Sequence, residues 1–393
     1  MPLTPTPVGD LYLPAERHPE NLESFPLDVF QCGTCGHVQL CAVVDPEYLY
    51  NDYIYTTSSS LGLPEHFRAY AKSVCEKLGL RAGSLVVEIG SNDGTMLRRF
   101  QQQGMNVVGV DPAKEIANRA TEEGVPTVND FFTLEIAKAI IAKHGCADLF
   151  IANNVLANVP SPRDIFVGAM EVLAEDGVIV FETGYLRYLA EDCAFDNIYH
   201  EHIDYYSIRP LVLFFEQLGL QLFDVDVSDS KGSSIRCYVQ RQSGKRMVTP
   251  VVAELCEREL TKGYGSPAPY AALSKKLDQT KASLRGILKD LKANGKTVAG
   301  FGASVGVTTV LYHFELAGLV DYLLDDNTSR QGLFSPGLGL GVKSPLILTG
   351  PERPDVVHLL AWRYANPITR KYQPYAAMGG RFLTMLPKIA FLE

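Results

Sequence analysis

Seven side chains able to exchange protons or bind ligands, Tyr199, His200, Glu201, His202, Asp204, Tyr205 and Tyr206, crowd into eight consecutive positions of this chain. Histidine and tyrosine can trade protons with a substrate, which makes the stretch FDNIYHEHIDYYS (residues 195–207) an acid–base site. Two other readings stand beside it. His200 and His202 on one face of a strand could ligate a metal, although no third ligand announces itself and the zinc-protease spacing is absent. The same groups could equally satisfy one another as a structural hydrogen-bond network.

The second chemical stretch is VVEIGSNDGTML, residues 86–97, which reads as strand, tight loop and helix. Gly90 and Gly94 permit close approach to a ligand, and the helix that follows presents unpaired N–H groups. A dinucleotide loop carries three glycines for a pyrophosphate. Here the pattern is Glu88-x-Gly90-x-x-x-Gly94 with Asp93 inside it. Acids would repel phosphates and suit a cation, and the spacing resembles the first motif of class I methyltransferases, which bind S-adenosylmethionine. An ordinary glycine turn is the alternative.

The cofactor-binding set therefore starts with Glu88, Gly90, Ser91, Asn92 and Gly94. Asp111, followed by Pro112, closes the next strand about 20 residues on, where an acid takes ribose hydroxyls of either adenosylmethionine or NAD. Asp130 reads as a partner for an adenine amino group with Phe131 stacked nearby, or as a plain turn. Asn153 and Asn154 end a buried strand at the carboxyl edge, where open α/β sheets keep their ligands.

The elements that must hold these groups follow from pattern and composition. At 393 residues the chain is long enough for two or three domains with real cores. A net charge of -9 argues against nucleic acid. No apolar run approaches the ~20 residues that span a bilayer, and MPLTPTPVGD lacks the build of a signal peptide, so a cytoplasmic protein without a membrane role is expected. Thinly spread cysteines agree with a reducing compartment.

Cys32 and Cys35 make half of a zinc knuckle, with Cys41, His18 and His37 as imperfect completions, so zinc is doubtful and no metal ligand is assigned. Phe67, Tyr70, Ala71, Val74 and Leu78 mark an amphipathic helix over residues 64–80. Strands then alternate with helices, which predicts a parallel sheet. Residues 242–268 loosen into polar sequence and predict a domain boundary. A long helix runs through Leu273 to Leu291 and stops at Asn294-Gly295. Residues 296–314 repeat the strand, glycine loop and helix, where Gly300, Gly302 and Gly306 give weak evidence for phosphate; residues 320–326 and 355–365 predict further strands. The fold class expected is α/β, with two Rossmann-like doubly wound domains and a small N-terminal knuckle-like lobe. Its divisions are residues 1–62, 63–265 and 266–393.

With these motifs in view, the chain resembles the S-adenosylmethionine-dependent sugar C-methyltransferases that act on 4-keto nucleotide-deoxysugars, from about residue 20 onward. The likeness is carried by the cysteine pair before HVQL, by EIGSNDG, YHEHIDYYS and GSSIR, by DDNTSRQGLFSPG at residues 325–337, and by LAWRYA. It implies a nucleotide-linked keto sugar as substrate, bound with help from the C-terminal domain, and S-adenosylmethionine as cofactor. The family's catalytic tyrosine, glutamate and histidine fall on Tyr199, Glu201 and His202, and its lobe tyrosine on Tyr53. Its other active-site histidine is Asn158 here, and asparagine cannot trade protons.

Other positions also depart from the family. A usual lysine is Gly306, a usual histidine is Lys231, and the first cysteine pair of the knuckle would precede Met1, implying a lost metal or a start set too late. The mechanism implied is removal of the proton next to the keto group by His202, oriented by Glu201, with Tyr199 or Tyr53 bonding the enolate. Two rivals are an NAD-dependent sugar-nucleotide oxidoreductase and a non-catalytic ligand-binding relative. A monomer or homodimer is expected.

Overall fold

The computed structural model describes residues 1–45, 48–49, 57–59, 62–228 and 233–392. Two short strands open the chain, β1 (Val29–Gln31) and β2 (Val38–Leu40), paired antiparallel across the Cys32–Cys35 turn. The central sheet follows with β3 (Leu85–Ile89), β4 (Asn106–Val110), β5 (Thr127–Val128), β6 (Ala147–Asn153) and β7 (Leu173–Gly184), all parallel. The chain then leaves this sheet. β8 (Asp204–Tyr205) pairs with β2, so the chemically dense segment ends in a strand of the N-terminal lobe and its residues 199–202 lie in the turn just before that strand. β9 (Leu220–Ser228) and β10 (Ser234–Arg241) return as an antiparallel pair, giving the order β5-β4-β3-β6-β7-β10-β9.

Alternate residues of the central strands face opposite ways. Val87, Ile89, Phe150 and Ala152 enter one core, and Val86, Leu149 and Ile151 enter another shared with Phe67, Tyr70 and Val74 of the helix Leu63–Leu78. Burial on both faces is why these strands read as continuous apolar runs. β3 and β6 are neighbours whose onward connections run to opposite sides, and the crevice beyond their carboxyl ends is where such sheets bind ligands.

The long helix Ala268–Ala293 leads to a third sheet, with β11 (Val298–Phe301), β12 (Tyr322–Leu324), β13 (Val342–Lys343), β14 (Val356–Leu359), β15 (Arg381–Thr384) and β16 (Ala390–Leu392). Its order is β13-β12-β11-β14-β15-β16, parallel except for β16. One core runs from Leu27, Val29 and Val38 of the lobe through Leu277, Leu284 and Leu288 of the long helix to Val298 and Val310. The observed fold class is thus α/β, as expected.

Several expectations change. Residues 242–268 are not loose: Pro250–Thr261 is a helix that buries Val252, Leu255 and Glu259. Only Val356–Leu359 of residues 355–365 is strand, because the chain turns at Trp362–Tyr364 into the helix Ala365–Lys371. Gly306 does not cradle phosphate. A Cβ there would lie 2.0 Å from the Asp196 carbonyl oxygen, so this glycine lets the helix Val305–His313 pack against residues 195–197. Among the described residues no helix is long and apolar enough to cross a membrane.

Candidate active site

The loop after β3 turns through left-handed Gly90, Asn92 and Gly94, with φ of 60°, 49° and 73°. Gly90 also has to be bare, since a Cβ would sit 2.2 Å from Val155 Cγ2 on the loop after β6. The two loops are therefore pressed together at the sheet's switch point. Side chains of this turn bind the preceding segment: Asn92 Oδ1 accepts from Thr57 N at 2.8 Å and Asp93 Oδ2 from Ser58 N at 2.9 Å.

These loops wall a cavity of about 390 Å3 that contains Glu88, Gly90, Ser91, Asn92, Asp111, Pro112, Asp130, Phe131, Asn153 and Asn154. Asn158, expected at the substrate, also borders it. Gly94 does not; its Cα faces Val125 at the start of the helix Thr95–Gln101. Asp111 is fixed by two backbone amides, Asn92 N on Oδ2 at 2.8 Å and Ala113 N on Oδ1 at 2.9 Å. Each oxygen keeps a second lone pair for a ligand hydroxyl.

Glu88 is 3% exposed, and its Oε2 has no hydrogen-bond partner among the described residues. Burial, reinforced by the Asp111 and Asp93 carboxylates, pushes its carboxyl well above the usual range. Ser91 Oγ and Asn153 Nδ2 are likewise buried without partners among the described residues. A cationic, hydroxyl-rich ligand would satisfy these groups. S-adenosylmethionine, with its ammonium, sulfonium and ribose diol, therefore fits the residues present.

A second cavity, about 1110 Å3, brings together Tyr199, Glu201 and His202. His202 Nδ1 lies 3.0 Å from the Asn197 carbonyl, which can only accept, so this nitrogen carries the proton. Nε2 is thereby left to accept from the Tyr199 hydroxyl at 2.8 Å. Asn197 and Tyr199 each hold one ring nitrogen, and among the described residues neither nitrogen bonds Glu201, which was expected to orient the ring. Backbone bonds hold the segment in place: Ile203 N donates to Ala157 O at 2.6 Å and Leu40 N donates to Ile203 O at 2.7 Å.

Glu201 stands apart from this hydrogen-bonded pair. Burial pushes its carboxyl up to about 8, with the Asp10 carboxylate adding to this and the Arg330 guanidinium opposing it. Arg330 is itself paired with Asp10 at 2.5 Å. His200 faces away from both cavities. It is buried, with Nε2 3.3 Å from the Phe25 carbonyl, so the two histidines do not converge on a metal.

The cavities share Asn154 and Asn158, so the adenosylmethionine-sized space adjoins the Tyr199–His202 pair. Asn154 is held in the left-handed region at φ 55°, its N–H bonded to Glu182 O at 2.7 Å. Tyr53 lies outside the described residues, as does Lys231.

Zinc does not fit the residues described. His37 Nε2 is taken by Asp204 at 2.6 Å and His18 Nδ1 by Glu20 at 3.2 Å, and Cys41 is exposed. Among the described residues no three His, Cys, Asp or Glu side chains are grouped to hold a metal ion.

Sequence reasoning missed Asp10, Arg330 and Glu182. Asp10 stands alone in proline-rich sequence and gives no signal; Arg330 lies within the block at residues 325–337 that carried the resemblance. Glu182 follows an apolar run and is 1% exposed, where burial pushes its carboxyl up and His66 and Arg236 more than offset this.

Comparison with known proteins adds to this geometry. Residues 229–387 match a family described as "C-methyltransferase C-terminal domain", residues 65–225 one described as "Methyltransferase domain", and residues 1–50 one described as "Putative zinc binding domain". The C-methyltransferase NovU of Streptomyces niveus is 34% identical over 365 residues, covering 93% of this chain and 87% of that protein. Among solved structures, the magnesium protoporphyrin IX methyltransferase ChlM of Synechocystis PCC 6803, with S-adenosylmethionine bound, is 14% identical. That match covers 50% of this chain and 88% of the other, with a TM-score of 0.35. An S-adenosylmethionine-dependent methyltransferase from Clostridium acetobutylicum ATCC 824 is 14% identical over 51% of this chain and 96% of that one, with a TM-score of 0.37.

Proposed function

Since the chain belongs to the C-methyltransferase family and is an S-adenosylmethionine-dependent enzyme, we propose that it methylates the carbon beside the keto group of a nucleotide-linked 4-keto deoxysugar. Family membership displaces the nicotinamide oxidoreductase as a rival, and methyl transfer to a keto sugar would dismiss the non-catalytic relative. The observation that carries the reading is the wall shared by the two cavities at Asn154 and Asn158, with a proton-accepting pair on the far side.

When bound, S-adenosylmethionine supplies an electrophilic methyl on a positively charged sulfur. Glu88 would meet its cationic end, Asp111 its ribose hydroxyls, and Asp130 with Phe131 its adenine. A carbon must first become nucleophilic, and a neighbouring ketone permits this. The α-proton passes to His202 Nε2 through the Tyr199 hydroxyl, which accepts it as its own proton moves to the imidazole. Glu201, protonated near neutral pH, donates a hydrogen bond to the keto oxygen as it gains charge. The carbon then attacks the methyl in line, and fixing both partners on rigid loops can supply several kcal/mol of the barrier.

Loops from two sheets border the larger cavity. Tyr185 and Ser234 come from the central unit, and Ser304, Asp325 and Arg330 from the C-terminal one. Its size and this convergence support a ligand as large as a sugar nucleotide, with residues 1–62, 63–265 and 266–393 as lobe, cofactor unit and substrate unit. Tyr53 is proposed as a second hydroxyl donor from the lobe.

The test is proton exchange. A 4-keto sugar nucleotide incubated with the protein in heavy water, without cofactor, is expected to lose its α-proton signal by NMR, and His202→Ala to slow this about 100-fold or more. Unchanged exchange in that variant would remove His202 as the base.

A further inference from the structure

Glu182 lies near the end of β7, outside the walls of both cavities, yet it is tied to the cofactor cavity from several sides. One carboxylate oxygen accepts from Arg236 Nε at 3.1 Å and Nη2 at 2.8 Å, and the other lies 2.8 Å from His66 Nε2. Its backbone N–H donates to Asn153 Oδ1 at 2.9 Å, and its carbonyl accepts from Asn154 N at 2.7 Å. The Arg236 guanidinium lies 3.7 Å from the centre of the Tyr70 ring, and the Tyr70 hydroxyl donates to the same Asn153 Oδ1 at 3.1 Å. The contacts close into a ring.

His66, bonded to this ring at Glu182, and Tyr70 sit one helical turn apart on the helix Leu63–Leu78, their aromatic ring centres 6.3 Å apart. On the same opening turns, Leu63 and Phe67 wall the cofactor cavity. Apolar packing of Phe67, Tyr70, Ala71 and Val74 holds this helix on the sheet, but burial is non-directional and does not set where along the sheet the helix stops. Directional contacts do that. A buried carboxylate paired with an arginine and bonded to a histidine ring contributes more to a single arrangement than to net stability.

We propose that His66, Glu182 and Arg236 form a positioning clamp. It pins the opening turns of the helix Leu63–Leu78 to the Asn153–Asn154 edge and so sets the cofactor cavity's wall from side chains that lie outside it. The proposal rests on the reading of the smaller cavity as the S-adenosylmethionine site. His66 is the member to probe, because its side chain is 22% exposed and its removal leaves the Glu182–Arg236 pair intact.

The test uses the full chain, with S-adenosylhomocysteine binding by calorimetry and hydrogen–deuterium exchange of unliganded protein read in parallel. His66→Ala is expected to weaken S-adenosylhomocysteine about tenfold and to speed amide exchange in residues 63–70 with other regions unchanged. The KM for S-adenosylmethionine should rise by more than kcat falls. His66→Gln, which keeps a donor toward Glu182, is expected to recover binding to within about threefold of the original. Parent-like binding by His66→Ala, or equal weakening in His66→Gln, overturns the clamp. If the unaltered protein fails to bind S-adenosylhomocysteine, the cofactor reading falls and the proposal with it, an outcome seen before any substitution is made.

Discussion

Glu201 and His202 are adjacent in sequence but held in opposite states. The imidazole keeps its proton on Nδ1 and offers Nε2, while burial leaves the carboxyl protonated until about pH 8. Two consequences follow from that raised value. Activity that needs Glu201 as a donor should fall as pH rises through about 8, and Glu201→Gln, which keeps a donor, should remove this alkaline limb in a pH–rate profile. Stability has the same sign. A carboxyl that binds its proton more tightly when folded favours the native state most at low pH, and this contribution is lost as pH rises from the ordinary carboxylate range to about 8. Urea midpoints of Glu201→Gln should lack that part of the decline. Tyr199, Glu201 and His202 were legible because their chemistry is concentrated in one short run. The Asp10–Arg330 pair that tunes Glu201 was not, because its members are 320 positions apart and meet only in the folded chain.

At the scale of elements, the helix Pro250–Thr261 shows where pattern reading fails. Its inward stripe includes Glu259, an acid where periodicity demands an apolar residue, so the segment passes for loop. The carboxylate is buried to receive the Tyr185 hydroxyl at 3.0 Å and the backbone N–H groups of Ile208 and Arg209 at 2.7 and 3.0 Å, near the start of the helix Ile208–Gln217. Those amides have no intrahelical partner, and the acid satisfies them. Glu259→Ala should cost about 3 kcal/mol in chemical unfolding by leaving two buried donors and one half-buried donor unmet, with Glu259→Gln losing less. By contrast, the strands and the Leu63–Leu78 helix were readable, since their apolar residues recur at the expected spacings. The glycine loop of the third sheet was readable as a shape but not as a role, because Gly306 is required by the Asp196 carbonyl and not by a ligand.

For the whole molecule, cores and sequence divisions do not coincide. The lobe's Leu27, Val29 and Val38 share one apolar cluster with Leu277, Leu284 and Leu288 of the long helix and with Val298 and Val310 beyond it. A fragment ending at residue 265 should therefore expose the lobe's half of that cluster. It is expected to aggregate or to show the fluorescence of a dye-binding, loosely packed state, whereas the intact chain should unfold with the lobe and the C-terminal sheet in one transition. Independent melting of the lobe would count against a common core. Composition could not reveal this arrangement, since which apolar faces meet is decided by tertiary contacts between segments more than 200 positions apart.

The pairing of β2 with β8 anchors the end of the reactive segment in the lobe's own sheet, with Gln39 registered against Asp204 two positions from His202. Substitutions in β1 and β2 can therefore shift the position of His202 without altering any residue that lines the larger cavity. Directed evolution of altered activity has a place to search there, in strands outside the walls of both of these cavities that reach the reactive segment through the Leu40 N–H on the Ile203 carbonyl.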